Sequence, residues 1–144
     1  LTHDALIAIG AFALLHGILP FNMEVDQSFI AAILTVIGYS INATVVIFDR
    51  VREYKELYPK RSLQEQVNGA INSTLSRTFN SSGSTLVVLL MMFIFGGEVI
   101  RGFIFALLVG VAAGTFSSVC ISGPIVFDLL KRKEEKAAAK IEKK

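Results

Sequence analysis

Two stretches of this chain contain no charged residue at all: the twenty positions Phe29–Phe48, FIAAILTVIGYSINATVVIF, and the twenty-six positions Gly102–Phe127. A helix rises ~1.5 Å per residue and the hydrocarbon layer of a bilayer is ~30 Å thick, so ~20 mostly apolar residues are needed to cross it. Both stretches are long enough. As soluble core helices they would need cover on every side, and a chain of 144 residues has too little other structure to supply it. The pattern therefore predicts an all-α fold, a polytopic integral membrane helix bundle. Charged residues make up only 18% of the chain, below the ~25% of ordinary soluble domains.

Two further segments complete a bundle of four expected transmembrane helices over residues 1–130. The first covers about 5–21, with His16 its one chargeable residue and Pro20 near its end. The second is about 29–48. The third is short in apolar residues: LVVLLMMFIF, Leu86–Phe95, would rise only ~15 Å, half the layer. To cross, it must recruit the polar stretch RTFNSSGST before it, which gives a span of about 77–97. The fourth is about 102–124, with a continuation toward Leu130, and residues 131–144 form a basic tail.

Basic residues orient these spans. The connector 22–28 has no Lys or Arg, the connector 49–77 has six (Arg50, Arg52, Lys55, Lys60, Arg61, Arg77), the connector 96–101 has only Arg101, and the tail has seven. Basic loops stay on the cytoplasmic side, so both termini and the 49–77 connector are expected there, with Arg101 as the exception. Within that connector, Ser62 and Glu65 form a capping-box pattern, and Leu63, Val67, Ala70, Ile71 and Leu75 share one helical face. These predict an amphipathic helix over about 62–75, lying on the inner membrane surface before the third span. The tail KRKEEKAAAKIEKK is expected to be a solvated, frayed anchor near anionic lipid headgroups.

Several function classes drop out. The net charge of +2 comes from basic residues beside apolar spans, without interleaved aromatics, which argues against nucleic acid as a partner. A single cysteine, Cys120, excludes an internal disulfide and a cysteine metal cluster. There is no Gly-rich phosphate loop, no metal-ligand spacing and no nucleophile elbow, so no catalytic residue, metal or cofactor is expected and the chain does not read as an enzyme. Leu1 is not a start methionine and no basic segment precedes the first apolar run, so the chain reads as cut from something longer, without a cleavable signal peptide.

Polar side chains inside spans are expensive, which makes their positions informative. The second span carries Tyr39, Ser40, Asn42 and Thr44, and Asn42 shares a helix face with Asp49 seven residues on. Their bland role is interhelical hydrogen bonding, worth ~0.6–2 kcal/mol each. Arg77, with Asn80, Ser81 and Ser84 on nearby turns, is expected to face the bundle interior or a wet cavity; the alternative is an Arg77 that snorkels to the headgroups. Small residues recur every fourth position in the last span (Ala106, Gly110, Gly114, Ser118, Ser122), a stripe for close helix packing or for a helix that slides. His3–Asp4 and His16 read as isolated, and Glu98 with Arg101 as an exposed pair in the outer connector.

Specific strings go further than composition. GYSINATVVIFDRVRE (Gly38–Glu53), NSTLSRT (Asn72–Thr78) and FGGEVIRGF (Phe95–Phe103) resemble SecF stretches in the same order, and the opening LTHDAL resembles the start of a SecF span. The chain is similar to the C-terminal part of SecF, or of a fused SecD–SecF, within the resistance–nodulation–division transporter superfamily, whose membrane halves carry six helices each. The four spans would be the last four of one half. The resemblance implies a bacterial inner-membrane subunit of the Sec preprotein translocase, in which proton flow between the SecD and SecF halves helps pull an emerging preprotein outward. It implies SecD, the SecY channel complex and the insertase YidC as protein partners beside the membrane lipids. Arg77, in LSRT, matches the family arginine of the proton relay. Many SecF sequences read S-[IL]-N-D-T-V where this chain has Ser40-Ile41-Asn42-Ala43-Thr44-Val45, so Ala43 occupies the family carboxylate position. Asp49 and Arg50 belong to a separate FDR motif, expected to hold the cytoplasmic edge by ion pairing. Two other functions stay open: a non-transporting scaffold of the export and insertase complex, which Ala43 favours, and a same-fold exporter of lipids or small hydrophobic molecules, which the spans alone allow.

Overall fold

A computed structural model describes residues 2–20 and 24–142. The expected end of the first span at Phe21, the connector residues Asn22 and Met23, and Lys143 and Lys144 of the tail lie outside the described residues, as does Leu1 of the opening string. Five helices follow one another: α1 (Thr2–Leu15), α2 (Gln27–Leu57), α3 (Leu63–Phe95), α4 (Glu98–Cys120) and α5 (Ser122–Glu142), with no strand among the described residues.

The charge-free runs lie inside helices longer than the runs themselves. α2 has 31 residues and α3 has 33, about 46 and 50 Å of helix, so both exceed the hydrocarbon thickness. α2 starts on an Asp26 cap, whose Oδ1 accepts from the Phe29 backbone N–H at 2.9 Å. α4 and α5 make a nearly continuous rod over Glu98–Ala139. It is interrupted at Ile121 because Pro124 has no N–H to donate to the Cys120 carbonyl. Among the described residues, three helices are long and apolar enough to cross a membrane: α2, α3 and the α4–α5 rod, against the four spans expected. The fourth expected span corresponds to the shorter apolar helix α1, described over fourteen residues, which ends before Gly17, where a left-handed φ of +84° turns the chain ahead of Pro20.

Two other expectations change. The segment 62–75 is not a separate helix on the membrane surface but the first turns of α3, which runs without a break into the third span. The capping box is present as expected: Ser62 Oγ accepts from the Glu65 backbone and Glu65 Oε2 from that of Ser62. The apolar face behind it finds protein rather than lipid, since Val67 and Ala70 are buried against Ile47 and Val51 of α2 and Val126 of α5. The tail is helical through Glu142 rather than frayed, and Lys55 Nζ of α2 meets Glu134 Oε1 of α5 at 3.0 Å.

α4 is the centre of the bundle. Half of its most apolar window is buried, against 22% for α2 and 17% for α3, whose outer faces expose Leu34, Val45, Val87 and Val88. Aliphatic faces of that extent belong in lipid or against another membrane protein. The small-residue stripe explains the central position: Ala106, Gly110, Gly114 and Ser118 are buried and Ser122 is half-buried. A Cβ on Gly110 would lie 2.1 Å from Val36 Cγ2, so α2 and α4 touch there backbone to side chain. Phe12 and Phe29, with ring centroids 4.3 Å apart, close the core where α1 meets α2. Glu98 and Arg101 do not form the expected exposed pair among the described residues; Arg101 is half-buried and its Nε has no hydrogen-bond partner.

Candidate functional site

α2 and α3 diverge around a small polar cleft lined by Tyr39, Asn42 and Ala43 on one side and Arg77, Thr78 and Ser81 on the other. Helical spacing places them together. Tyr39, Asn42, Ala43 and Val46 occupy one face of α2, and Arg77, Thr78, Ser81 and Ser82 repeat at three and four residues along α3. Asn42 lies six residues inside Phe48, ~9 Å along the axis, so the cleft is within the apolar layer. Its volume of ≈ 70 Å³ admits water, yet it is far below the ~300 Å³ at which ligand pockets begin.

The inner wall is satisfied. Tyr39 Oη donates to Ser82 Oγ at 2.9 Å, and Thr78 and Ser82 are buried at the α2–α3 contact. The outer wall is not. Arg77, Asn42 and Ser81 are exposed at the rim, and Arg77 makes no ion pair among the described residues. A guanidinium without a counter-charge at this depth costs several kcal/mol in lipid.

The expected interior orientation of the 77–85 stretch is thus only partly found. Arg77 and Ser81 open into the cleft with Asn42, whereas Asn80 and Ser84 are exposed and Ser84 Oγ is bonded to its own helix at Asn80 O, 2.7 Å away. The residues of α3 that face inward are Thr74, Thr78 and Ser82, one turn apart, a spacing that could have marked them. The FDR motif also departs from expectation. Arg50 pairs with Glu53, reaches Ser73 Oγ on α3 at 3.1 Å and covers the Tyr54 ring at 5.3 Å. Asp49 is exposed and joins no ion pair among the described residues. Adjacent helical residues point ~100° apart, so one motif cannot turn both charges to the same partner.

Asp4 is not isolated. It is fully buried, accepts from Ser40 Oγ of α2, lies 3.2 Å from His3 Nδ1 and has Ser117 of α4 nearby. Ser40 points away from the cleft, toward α1 and α4, so the two polar clusters lie on different faces of α2, roughly 100° apart. No group of three or more potential metal ligands occurs among the described residues.

Residues 1–132 match the family described as protein export membrane protein SecD/SecF, C-terminal. The chain is similar to the protein translocase subunit SecF of Rhodothermus marinus, 55% identical over 132 residues, which covers 92% of this chain and 43% of that relative. It is similar to those of Koribacter versatilis (46% over 124 residues, 86% and 29%) and Haemophilus influenzae (41% over 143 residues, 99% and 42%). The chain therefore spans less than half the length of these curated relatives.

Proposed function

Because this chain belongs to the SecD/SecF C-terminal family of protein export membrane proteins, we propose that it forms the last helices of a SecF-like subunit that couples proton flow to preprotein export across the bacterial inner membrane. Both termini and the 49–77 connector face the cytoplasm. The observation that carries the reading is the cleft: an exposed arginine, Arg77, beside Asn42 and Ser81 at the bundle's edge, with water-sized space and no counter-charge on these helices.

The chemistry follows from that deficit. A second membrane half, SecD or the SecD part of one polypeptide, closes the cleft and supplies a carboxylate to Arg77. Protonation of that carboxylate cancels the pair, and deprotonation restores it, so each proton changes how firmly the halves adhere. Asn42 and Ser81 hold water along the rim. At ≈ 70 Å³ the cleft itself has room for water but not for a lipid or other hydrophobic solute. The partners of the whole assembly are the SecY channel, the emerging preprotein, YidC and the surrounding lipids.

One observation favours a second reading. Ala43 lines the cleft where a carboxylate would face Arg77, and alanine carries no proton. In that reading the subunit is a scaffold joining the export channel to the insertase. Preprotein export into inverted vesicles, with and without a proton gradient, separates the two for the full-length protein. A coupler loses part of its activity when the gradient collapses; a scaffold is indifferent to the gradient and fails only when the complex does not assemble.

A further inference from the structure

The Asp4 carboxyl plays no part in the cleft, yet it is the one ionisable side chain buried in the described bundle, with 0% exposure. Three helices build its surroundings. α2 brings Ser40, 1% exposed, whose hydroxyl donates to Oδ2, and α4 brings Ser117, 6% exposed, as a neighbouring hydroxyl. On α1 itself, His3 Nδ1 stands 3.2 Å from Oδ1. Among the described residues, His3 is the titratable group that faces Asp4; α2 and α4 present hydroxyls to it rather than charges.

Ser40 lies eight residues from Phe48 and eleven from Phe29, ~12 and ~16 Å along α2, so the junction sits within the apolar layer. An ionised carboxylate held there is costly, and hydroxyl donors offset only part of that cost. We propose that Asp4 is a proton-binding site of this chain, a carboxylate that takes up and releases one proton within the membrane and signals its state to α2 through Ser40. The inference deepens the proton-coupled reading and rests on it, while adding a site distinct from Arg77 and from the position of Ala43.

The exchange balances as follows. In the ionised state the Ser40 hydroxyl donates to the carboxylate. The His3 imidazole, whose side chain is 48% exposed, takes a proton from water on Nε2 as its Nδ1–H bond breaks and that proton bonds to Oδ1 of Asp4. A half-turn of the carboxyl group brings the new O–H to the Ser40 side. That new donor needs an acceptor. Ser40 Oγ becomes one by turning its own proton to the carbonyl one turn back on α2. Thr35, Thr115 and Ser118 already make this bond, to the carbonyls of Ala31, Val111 and Gly114. A charge-assisted bond between α1 and α2 is thereby replaced by a neutral one, about half as strong. Ser40 also packs on Gly114, where an added Cβ would lie 3.6 Å from Ser40 Cβ, so the change occurs at the contact between α2 and α4. Release of the proton to water reverses each step.

The test uses the full-length protein, assembled with its partner half in vesicles and labelled with carboxyl-¹³C aspartate. As pH falls, infrared difference spectra of the parent should gain a carboxylic-acid carbonyl band that Asp4→Asn lacks. Ser40→Ala keeps the carboxyl but loses a donor to its ionised form, so the band's midpoint should move to higher pH, a shift that a purely structural role would not produce. Gradient-dependent export should be lost in Asp4→Asn with assembly intact. A parent without an Asp4 band at any pH, or an unmoved midpoint in Ser40→Ala, overturns the proposal. So does gradient-dependent export at the parent level in Asp4→Asn. If the parent shows the band but no gradient effect, the proton-coupled reading of the protein fails while Asp4 still binds its proton.

Discussion

Tyr39 Oη donates to Ser82 Oγ across 2.9 Å, joining α2 to α3 at the inner wall of the cleft. This is a cross-helix bond between two side chains in the apolar part of the bundle. Four other hydroxyls of α3, on Ser73, Thr74, Ser84 and Thr85, bond to carbonyls of their own helix. The pair therefore bridges the helices that carry Asn42 and Arg77.

Tyr39→Phe tests how much that bond contributes. Ser82 can turn its hydroxyl to the carbonyl of Thr78, as Ser84 does with Asn80, so no buried donor is stranded. The expected loss is only ~0.6 kcal/mol in denaturation of the full-length protein in micelles. A loss above about 2 kcal/mol would mean that the two helices are held by this bond rather than by packing.

Gly110→Val should be far more damaging. The first added carbon would already lie 2.1 Å from Val36 Cγ2 and 2.7 Å from Cγ1, and neither helix can withdraw without opening the core around Ala32 and Leu107. Overpacking of this kind costs ~1–3 kcal/mol or more. Adding Val36→Ala should recover much of the loss. Failure of the double variant to exceed the single one in thermal stability would show that the two residues do not share the contact.

Ser62→Ala removes the cap of α3 at the basic end of the bundle, leaving the Glu65 N–H without its side-chain acceptor. The cost of such a loss is ~1 kcal/mol, about a fivefold increase in local opening. Hydrogen exchange over residues 63–67 should speed up by that factor, with the 78–95 stretch unchanged. Uniform acceleration along α3 would instead mean that the long helix opens as one unit.

What the sequence made legible here was what depends on neighbours within one helix. The charge-free runs, the Ser62–Glu65 box and the small-residue stripe all read through three- and four-residue spacing, and each appears in the fold. Arg77, Asn42 and Ser81 converged because a polar patch in an apolar setting has few places to go. The misses share a different cause. Asp4 and Ser40 are 36 residues apart, and no local pattern announces that α1 and α2 meet there. Thr74 and Thr78 were passed over because threonine on a helix reads as a neutral residue until its face is known. The 62–75 stretch was assigned to the membrane surface because its partners, Ile47 and Val126, lie on other helices.

Arg77→Ala should remove the gradient-dependent fraction of export and leave assembly with the partner half intact. Arg77→Lys should fall between, since an ammonium keeps the charge and loses the planar fork. Export assays on full-length protein, read beside co-purification of the partner half, separate a lost coupling from a lost subunit. Unchanged gradient dependence in Arg77→Ala would remove Arg77 from the proton path.

Ala43→Asp asks whether the cleft can hold its own counter-charge. Residue 43 is half-buried on α2 and lines the same cleft as Arg77, so a carboxylate there gains a guanidinium partner. Alone, the substitution should be close to neutral in stability. Combined with Arg77→Ala, the carboxylate is left unpaired in a low-dielectric cleft, and the loss should exceed the sum of the single changes by ~1 kcal/mol or more. A double-mutant cycle in micelles measures that excess directly. Strict additivity would show that the two side chains do not meet across the cleft, and the geometry on which the coupling proposal stands would be wrong. Non-additivity together with a larger gradient effect in Ala43→Asp than in the parent would mean that alanine at this position attenuates a coupling the cleft is built to make.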